Sequence, residues 1–276
     1  MRLGMLLRNS GPLATAGFIA DCARALDEAG IDDLYVLDHV AIPPDDAEGS
    51  GGRYVDALAT LAYVAGITQR IGLGTAVLVV PYRPALATAK WVAAIQELSG
   101  GRLVLGVGAG WMPAEFIASG VPRTERGRIT DATLAFLHDC FANDVVEANG
   151  QAFIFSPRPP RPPILVGGSG AHVVRRIVAH GDGWIPTVDD PAALAEPVAA
   201  LNAAMAAAGR PAPRVVPLTR LPLDDASATS ERLAAYAAVG CTGLIHAARY
   251  DTVEDCRLHA ERLLAARREA GMTAPG

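Results

Sequence analysis

The chain has 276 residues, 51% hydrophobic and 19% charged, which is ample material for one large core and too little charge for disorder. Lys and Arg number 24 against 29 Asp and Glu, a net charge of -5, so no basic excess exists to track a phosphate backbone and nucleic acid is not an expected partner. The apolar runs from Ala57 to Gln69 and from Ile71 to Tyr82 fall short of the roughly 18 residues that cross a bilayer, and Met1 leads into Arg2 and a strand-like run rather than a secretory signal.

A cytoplasmic protein with no membrane partner is therefore expected. Cys22, Cys140, Cys241 and Cys256 occur singly, with no CxxC pair, and read as buried thiols rather than disulfides or metal ligands.

In chain order, short Val/Ile/Leu runs alternate with Ala-rich amphipathic stretches, the pattern of β-α units around a parallel sheet. The predicted strands are Leu3 to Leu7, Leu34 to Leu37, Ile71 to Val79, Leu103 to Gly106, Ile164 to Gly167, Gly183 to Ile185, Arg214 to Leu218 and Gly243 to His246. The predicted helices are Gly17 to Ala29, Tyr54 to Thr68, Pro84 to Leu98, Arg126 to Phe141, Ala171 to His180, Pro191 to Ala208, Ser230 to Val239 and Thr252 to Glu269. Pro84 and Pro191 sit where a first helical turn tolerates proline, and Gly30, Gly100 and Gly240 sit where helices stop. Eight such units fit one α/β domain over residues 1 to 276, a closed (β/α)8 TIM barrel that leaves no strand edge. Val145 to Pro163 breaks the rhythm and reads as an insertion between the fourth helix and fifth strand, with a hairpin turn at Asn149-Gly150.

In a barrel, chemistry belongs at the carboxyl ends of the strands. The second strand runs into Asp38-His39, and an imidazole there can exchange a proton with a reacting centre. A capping Asp beside a structural His has the same sequence. The third strand carries Gly74-Thr75-Ala76-Val77, small enough for a flat ring to lie against the backbone, and the fourth continues into Gly106-Val-Gly108-Ala-Gly110-Trp111. That string is a poor dinucleotide fingerprint, and serves better as a floor for a planar ligand with Trp111 as its wall or rim. The sharpest local signal is Gly167-Gly168-Ser169-Gly170-Ala171, a glycine turn opening a helix, where free amides and the helix dipole suit a phosphate. Barrel phosphate sites commonly follow strands seven and eight, whereas this turn follows the fifth. Arg123, Arg126, Arg128, Arg175 and Arg176 lie nearby, mostly as solvated charges; one near the loop can reach an anionic tail. The remaining histidines lack metal-ligand spacing, so a zinc site is not expected, and GGSGA is not the GxSxG of a hydrolase elbow.

The ordered segments LYVLDHVAIP, RIGLGTAVLVVPYRPALATAK, ELSGGRLVLGVGAGWMPAEF, RGRITDA and PPILVGGSGAHVVRRIVAHGDGWIP resemble the luciferase-like flavin and deazaflavin oxidoreductases, most of all their coenzyme F420-dependent class. The resemblance covers roughly the first 190 residues and is specific for the superfamily, far less so for cofactor or substrate. It implies a homodimeric barrel with the cofactor ring over the strand ends and its phosphate in the GGSG turn. It also implies a non-prolyl cis peptide between Ala76 and Val77, and a histidine near the ring's reactive carbon at His39. Sugar-phosphate dehydrogenases of the class hold a catalytic carboxylate where Trp111 stands, so this chain is expected to lack that reaction and to carry no second acid or base in that loop. The implied activity is hydride transfer between F420 and a small organic substrate, with His39 as the catalytic residue. The alternatives are an FMN-dependent monooxygenase using reduced flavin and oxygen, and a non-catalytic barrel that carries the cofactor.

Overall fold

A computed structural model describes residues 1–247 and 249–273. Its strands are β1 (Arg2–Leu6), β2 (Asp33–Val36), β3 (Gly72–Thr75), β4 (Leu78–Val79), β5 (Leu103–Gly108), β6 (Val145–Ala148), β7 (Gln151–Ile154), β8 (Ile164–Gly167), β9 (Gly183–Ile185), β10 (Arg214–Val215), β11 (Leu218–Thr219) and β12 (Gly243–His246). The helices are α1 (Ala16–Ala29), α2 (Ala57–Ala65), α3 (Ala85–Leu98), α4 (Pro113–Ala118), α5 (Arg126–Ala142), α6 (Ala171–His180), α7 (Ala195–Ala207), α8 (Ala226–Ala238) and α9 (Val253–Glu269).

The parallel sheet runs β10-β9-β8-β5-β3-β2-β1-β12-β11, with β4 on β5. Because β10 and β11 are two parts of one strand interrupted at Val216-Pro217, this order closes on itself. The Val216 and Leu218 amides donate to the Trp184 and Pro186 carbonyls at 2.9 and 2.8 Å, and the Val215 and Pro217 carbonyls accept from Thr242 and Ile245 at 2.9 and 2.8 Å. The fold is the (β/α)8 barrel that the alternating pattern predicts. β3 and β4 likewise form one barrel strand, interrupted at Ala76-Val77, whose peptide bond is cis.

Near-continuous apolar strands mean burial on both faces. The outer faces pack Leu3, Leu34, Leu73, Leu103 and Ile164 against the helices, in a core shared with Ile19, Leu61, Val92, Leu134, Leu201, Leu233 and Leu263. The inner faces contribute a second cluster of Tyr35, Ala76, Val104, Leu165, Ile185, Val216 and Ile245 that plugs the barrel. Tyr35 can fill the interior because its neighbours lack side chains: a β-carbon on Gly4 or Gly74 would lie 2.7 or 2.3 Å from its ring.

The helices start and stop where capping chemistry allows. Thr15, Asp56, Asp225 and Thr252 accept first-turn amides of α1, α2, α8 and α9. Gly30, Gly100 and Gly240 take φ of 87°, 67° and 92° just beyond helix ends. Three predicted helices shift accordingly. The second begins only after Asp56, the sixth opens with a 3-10 turn at Pro191–Leu194, and the seventh starts four residues early behind its Asp225 cap. The insertion is an antiparallel hairpin of β6 and β7 turning at Asn149 and Gly150, with φ of 51° and 77°. No described helix is long and apolar enough to cross a membrane, and all four cysteines are buried.

Candidate active site

A cavity of about 400 Å3 opens at the carboxyl ends of β2, β4, β5 and β8, the end of the barrel that strand direction designates. Its lining includes Asp38, His39, Ala76, Val77, Gly108, Gly110, Trp111, Gly167 and Gly168, so residues from four separate strands converge on one space.

The floor is built of absent side chains. A β-carbon on Gly108 would lie 2.6 Å from Val77 Cγ2, one on Gly167 2.8 Å from Val77 Cγ1, and one on Gly110, at φ 80°, 2.7 Å from Val79 Cγ1. These glycines make room for Val77 and Val79, and Val77 gives the floor its apolar surface. Thr75 differs from expectation. It is fully buried below the cavity, its hydroxyl donating to the Gly106 carbonyl at 2.6 Å, so it braces β3 against β5 and does not reach a ligand.

His39 lines this cavity, and a buried carboxylate orients it. Its Nδ1 lies 3.1 Å from Oε2 of Glu115, which is 1% exposed and also accepts from the Val40 amide at 2.6 Å, the Ala41 amide at 3.2 Å and the Tyr82 hydroxyl at 3.0 Å. With every neighbour donating to it, the carboxylate assigns the His39 proton to Nδ1 and leaves Nε2 as the exchangeable nitrogen. Burial and the Glu115 charge push the Tyr82 hydroxyl above its ordinary range, so it remains a donor. Tyr54 and Trp111 flank the imidazole at ring-centroid distances of 4.9 and 6.3 Å, and Trp111, 65% exposed, forms the rim.

The expectation that the Trp111 loop holds no second acid or base is thereby corrected. Glu115 is the third residue of α4, a helix opened by Pro113. Proline followed two residues later by a carboxylate is a helix-start signal that would have found it.

Asp38 lines the cavity and is itself held by Arg83. Both of its oxygens accept from the Arg83 guanidinium at 2.7 Å, and Oδ2 also accepts from the Val79 amide at 2.8 Å. It forms part of the cavity wall and holds the β3-to-β4 passage in place. Arg83, which also pairs with Asp56 at 2.8 Å, carries no sequence signal.

Gly168 and Gly170 take φ of 106° and 88°, and α6 starts without any side-chain cap. The Ala171 and His172 amides therefore lack helical acceptors, while those of Val173 and Val174 donate to the Gly170 carbonyl at 3.0 and 3.4 Å, and His172 and Val173 line the cavity. Gly167 and Gly168 line the cavity, whereas Ser169, Gly170 and Ala171 stand exposed at its rim. Trp184, absent from the sequence reading, donates its indole N–H to the Gly168 carbonyl at 2.8 Å and fixes the turn to β9.

From this rim a second depression, about 710 Å3, runs outward past Arg126, Arg128, Arg175 and Arg176, with Asp131 as its only carboxylate among the described residues. Arg176 is buried against Asp131, Arg128 pairs with Glu125, and Arg126 donates to the Arg123 carbonyl at 2.9 Å. Arg123 does not line the depression. Among the described residues, no three His, Cys, Asp or Glu side chains are grouped to hold a metal ion.

The family described as luciferase-like monooxygenase matches residues 1–274. An uncharacterized protein of Mycobacterium tuberculosis is 30% identical over 267 residues, covering 89% of this chain and 92% of its own. Among solved structures, an F420-dependent secondary alcohol dehydrogenase in complex with an F420-acetone adduct superposes with a TM-score of 0.78 at 14% identity, over 96% of this chain and 99% of that one. The oxygenating constituent of a type II Baeyer-Villiger monooxygenase from Pseudomonas putida, in complex with FMN, gives 0.77 at 13% identity over 100% of both chains.

Proposed function

Because the chain belongs to the luciferase-like monooxygenase family, whose members are flavin- or deazaflavin-linked oxidoreductases, we propose that it is an F420-dependent oxidoreductase acting on a small organic substrate. The observation that carries the choice of cofactor is the arginine-lined depression continuing from the glycine turn. FMN ends at its phosphate, which the amides of the turn and α6 satisfy alone. The lactyl and glutamyl tail of F420 extends further and carries carboxylates, for which Arg126 and Arg175 are the available cations.

When bound, the deazaflavin supplies two-electron hydride chemistry. The floor at Gly108, Val77 and Gly167 would hold its ring, and the amides that open α6 would hold its phosphate. His39 Nε2 then takes or gives a proton at the substrate oxygen or adjacent carbon while Nδ1–H stays on Glu115, which keeps the imidazole in one orientation and offsets its charge when protonated. The His39-Glu115 pair favours an enzyme over a passive carrier, because a carrier has no use for an imidazole so held.

Titration with each cofactor tests this reading. F420 should bind the full chain more tightly than FMN, and the double variant Arg126→Gln/Arg175→Gln should weaken F420 by about tenfold to a hundredfold while leaving FMN unchanged. Micromolar FMN binding with none for F420 would reverse the assignment in favour of a flavin monooxygenase.

A second copy of the chain is the proposed macromolecular partner, since Tyr63 on α2 and Leu86 and Trp91 on α3 leave apolar rings and branches in water. Light scattering should return twice the chain mass. The same reading places the protein in the cytoplasm.

A further inference from the structure

A separate cavity of about 240 Å3 occupies the opposite half of the barrel mouth, at the ends of β1, β11 and β12, with Leu37 as the wall it shares with the first. Its floor is rigid. The Asn9 amide donates to the Leu37 and Val55 carbonyls at 2.8 and 2.9 Å, and its oxygen accepts from the Leu37 amide at 3.1 Å. Tyr54 lines this cavity while His39 lines the other, and their rings are 4.9 Å apart. The imidazole therefore stands just across Tyr54 from this space.

The polar lining is unusual for so small a space. Three guanidinium groups, of Arg8, Arg220 and Arg249, surround it, against the single carboxylate of Glu48. Arg8 is already paired with Asp251 and donates to the Tyr250 carbonyl at 2.8 Å. Neither Arg220 nor Arg249 forms an ion pair with any described residue. Arg249 crosses the opening to lie on the backbone of Gly49, where φ is +76° and a β-carbon would stand 3.0 Å from Nη2. The loop is thus shaped around the guanidinium. With Arg8 neutralised by Asp251 and one further charge by Glu48, the cavity retains one positive charge.

We propose that this cavity binds a carboxylate group of the substrate through Arg220 and Arg249, leaving the carbon that gains or loses hydride beside His39. One net positive charge matches a monoanion, whereas a phosphate dianion would leave a charge unmatched next to Glu48. Guanidinium forks suit a planar carboxylate, and the volume is below that of a typical drug-sized pocket, so the substrate is small. This assignment rests on the reading that the first cavity holds the redox cofactor.

The test compares para-nitrobenzoate with para-nitrobenzamide, probes of nearly equal size that differ by one charge. Calorimetry measures their dissociation constants on the full chain, alone and saturated with whichever of F420 or FMN binds. The carboxylate should bind at least about tenfold more tightly than the amide. Arg220→Gln and Arg249→Gln should each remove most of that preference, Arg249→Lys should keep part of it, and cofactor affinity should be unchanged in all three. Equal affinity for the probes, a preference that survives both Gln substitutions, or binding of neither probe overturns the proposal. Cofactor titration is read separately, so a carboxylate preference that persists in a chain that fails to bind F420 overturns only the cofactor assignment.

Discussion

His39 and His246 stand at the carboxyl ends of two strands of the same cylinder, in opposite surroundings. His39 follows β2, borders the cavity, and rests on a buried carboxylate. His246 ends β12 at 1% exposure, with Nδ1 accepting from the Leu221 amide at 3.1 Å and Nε2 without a partner among the described residues. Burial, then the neighbouring His259 and Arg220, push its pKa down to about 3. Strand-end placement gives a histidine its opportunity. A carboxylate within reach orients one imidazole, whereas burial beside His259 and Arg220 keeps the other neutral.

Four substitutions probe that contrast. His39→Asn should lower turnover of an activated enone or nitroarene by about 10²- to 10⁴-fold with cofactor affinity nearly unchanged, a result steady-state kinetics and titration read together. Full turnover at saturating cofactor would remove His39 from the mechanism. Asp38→Ala should destabilise the fold by about 3–5 kcal/mol in denaturant melts, because the largely buried Arg83 loses both Asp38 oxygens and keeps only the partly exposed Asp56. A loss below about 1 kcal/mol would contradict the role given to Asp38. Glu115→Gln should reduce turnover about tenfold to a hundredfold and alter its pH profile, since the amide can no longer accept from all four donors. His246→Asn addresses the other histidine. Its folded pKa, about 3, lies below the ordinary 6.5, so the unfolded chain binds the extra proton between those values. Stability therefore falls as pH drops through that window, by up to about 1.4 kcal/mol per pH unit. Asn keeps an acceptor for Leu221 and removes the titration, so thermal melts across the window should show a shallower slope, with His180 and His259, whose pKa values burial also lowers, supplying the remainder.

The fold was readable because barrel strands buried on both faces leave a plain apolar signature, and because glycines and caps mark the helix ends. The glycines at 108, 110 and 167 were readable as places of close packing, since a β-carbon at each would collide with Val77, Val79 or Phe116. Glu115, Arg83, Asn9 and Trp184 were not, since each acts through a contact with residues far along the chain. Glu115 meets His39 across 76 positions, and Asn9 meets Leu37 across 28. Asp38 is held by Arg83 and Thr75 by the Gly106 carbonyl, partners that proximity in sequence does not show.

The break in the seventh strand carries a dynamic consequence. β10 and β11 hold only two residues each, and Pro217 between them has no N–H to give its neighbours. Amide exchange should consequently begin at this stave, well before β2, which is laddered to β1 and β3 on both sides. Arg220 follows β11 directly, so one anchor of the proposed anion cavity rides on a strand interrupted by a proline while His39 follows an unbroken one. Breathing of that stave would let a charged guest in and out without disturbing the imidazole.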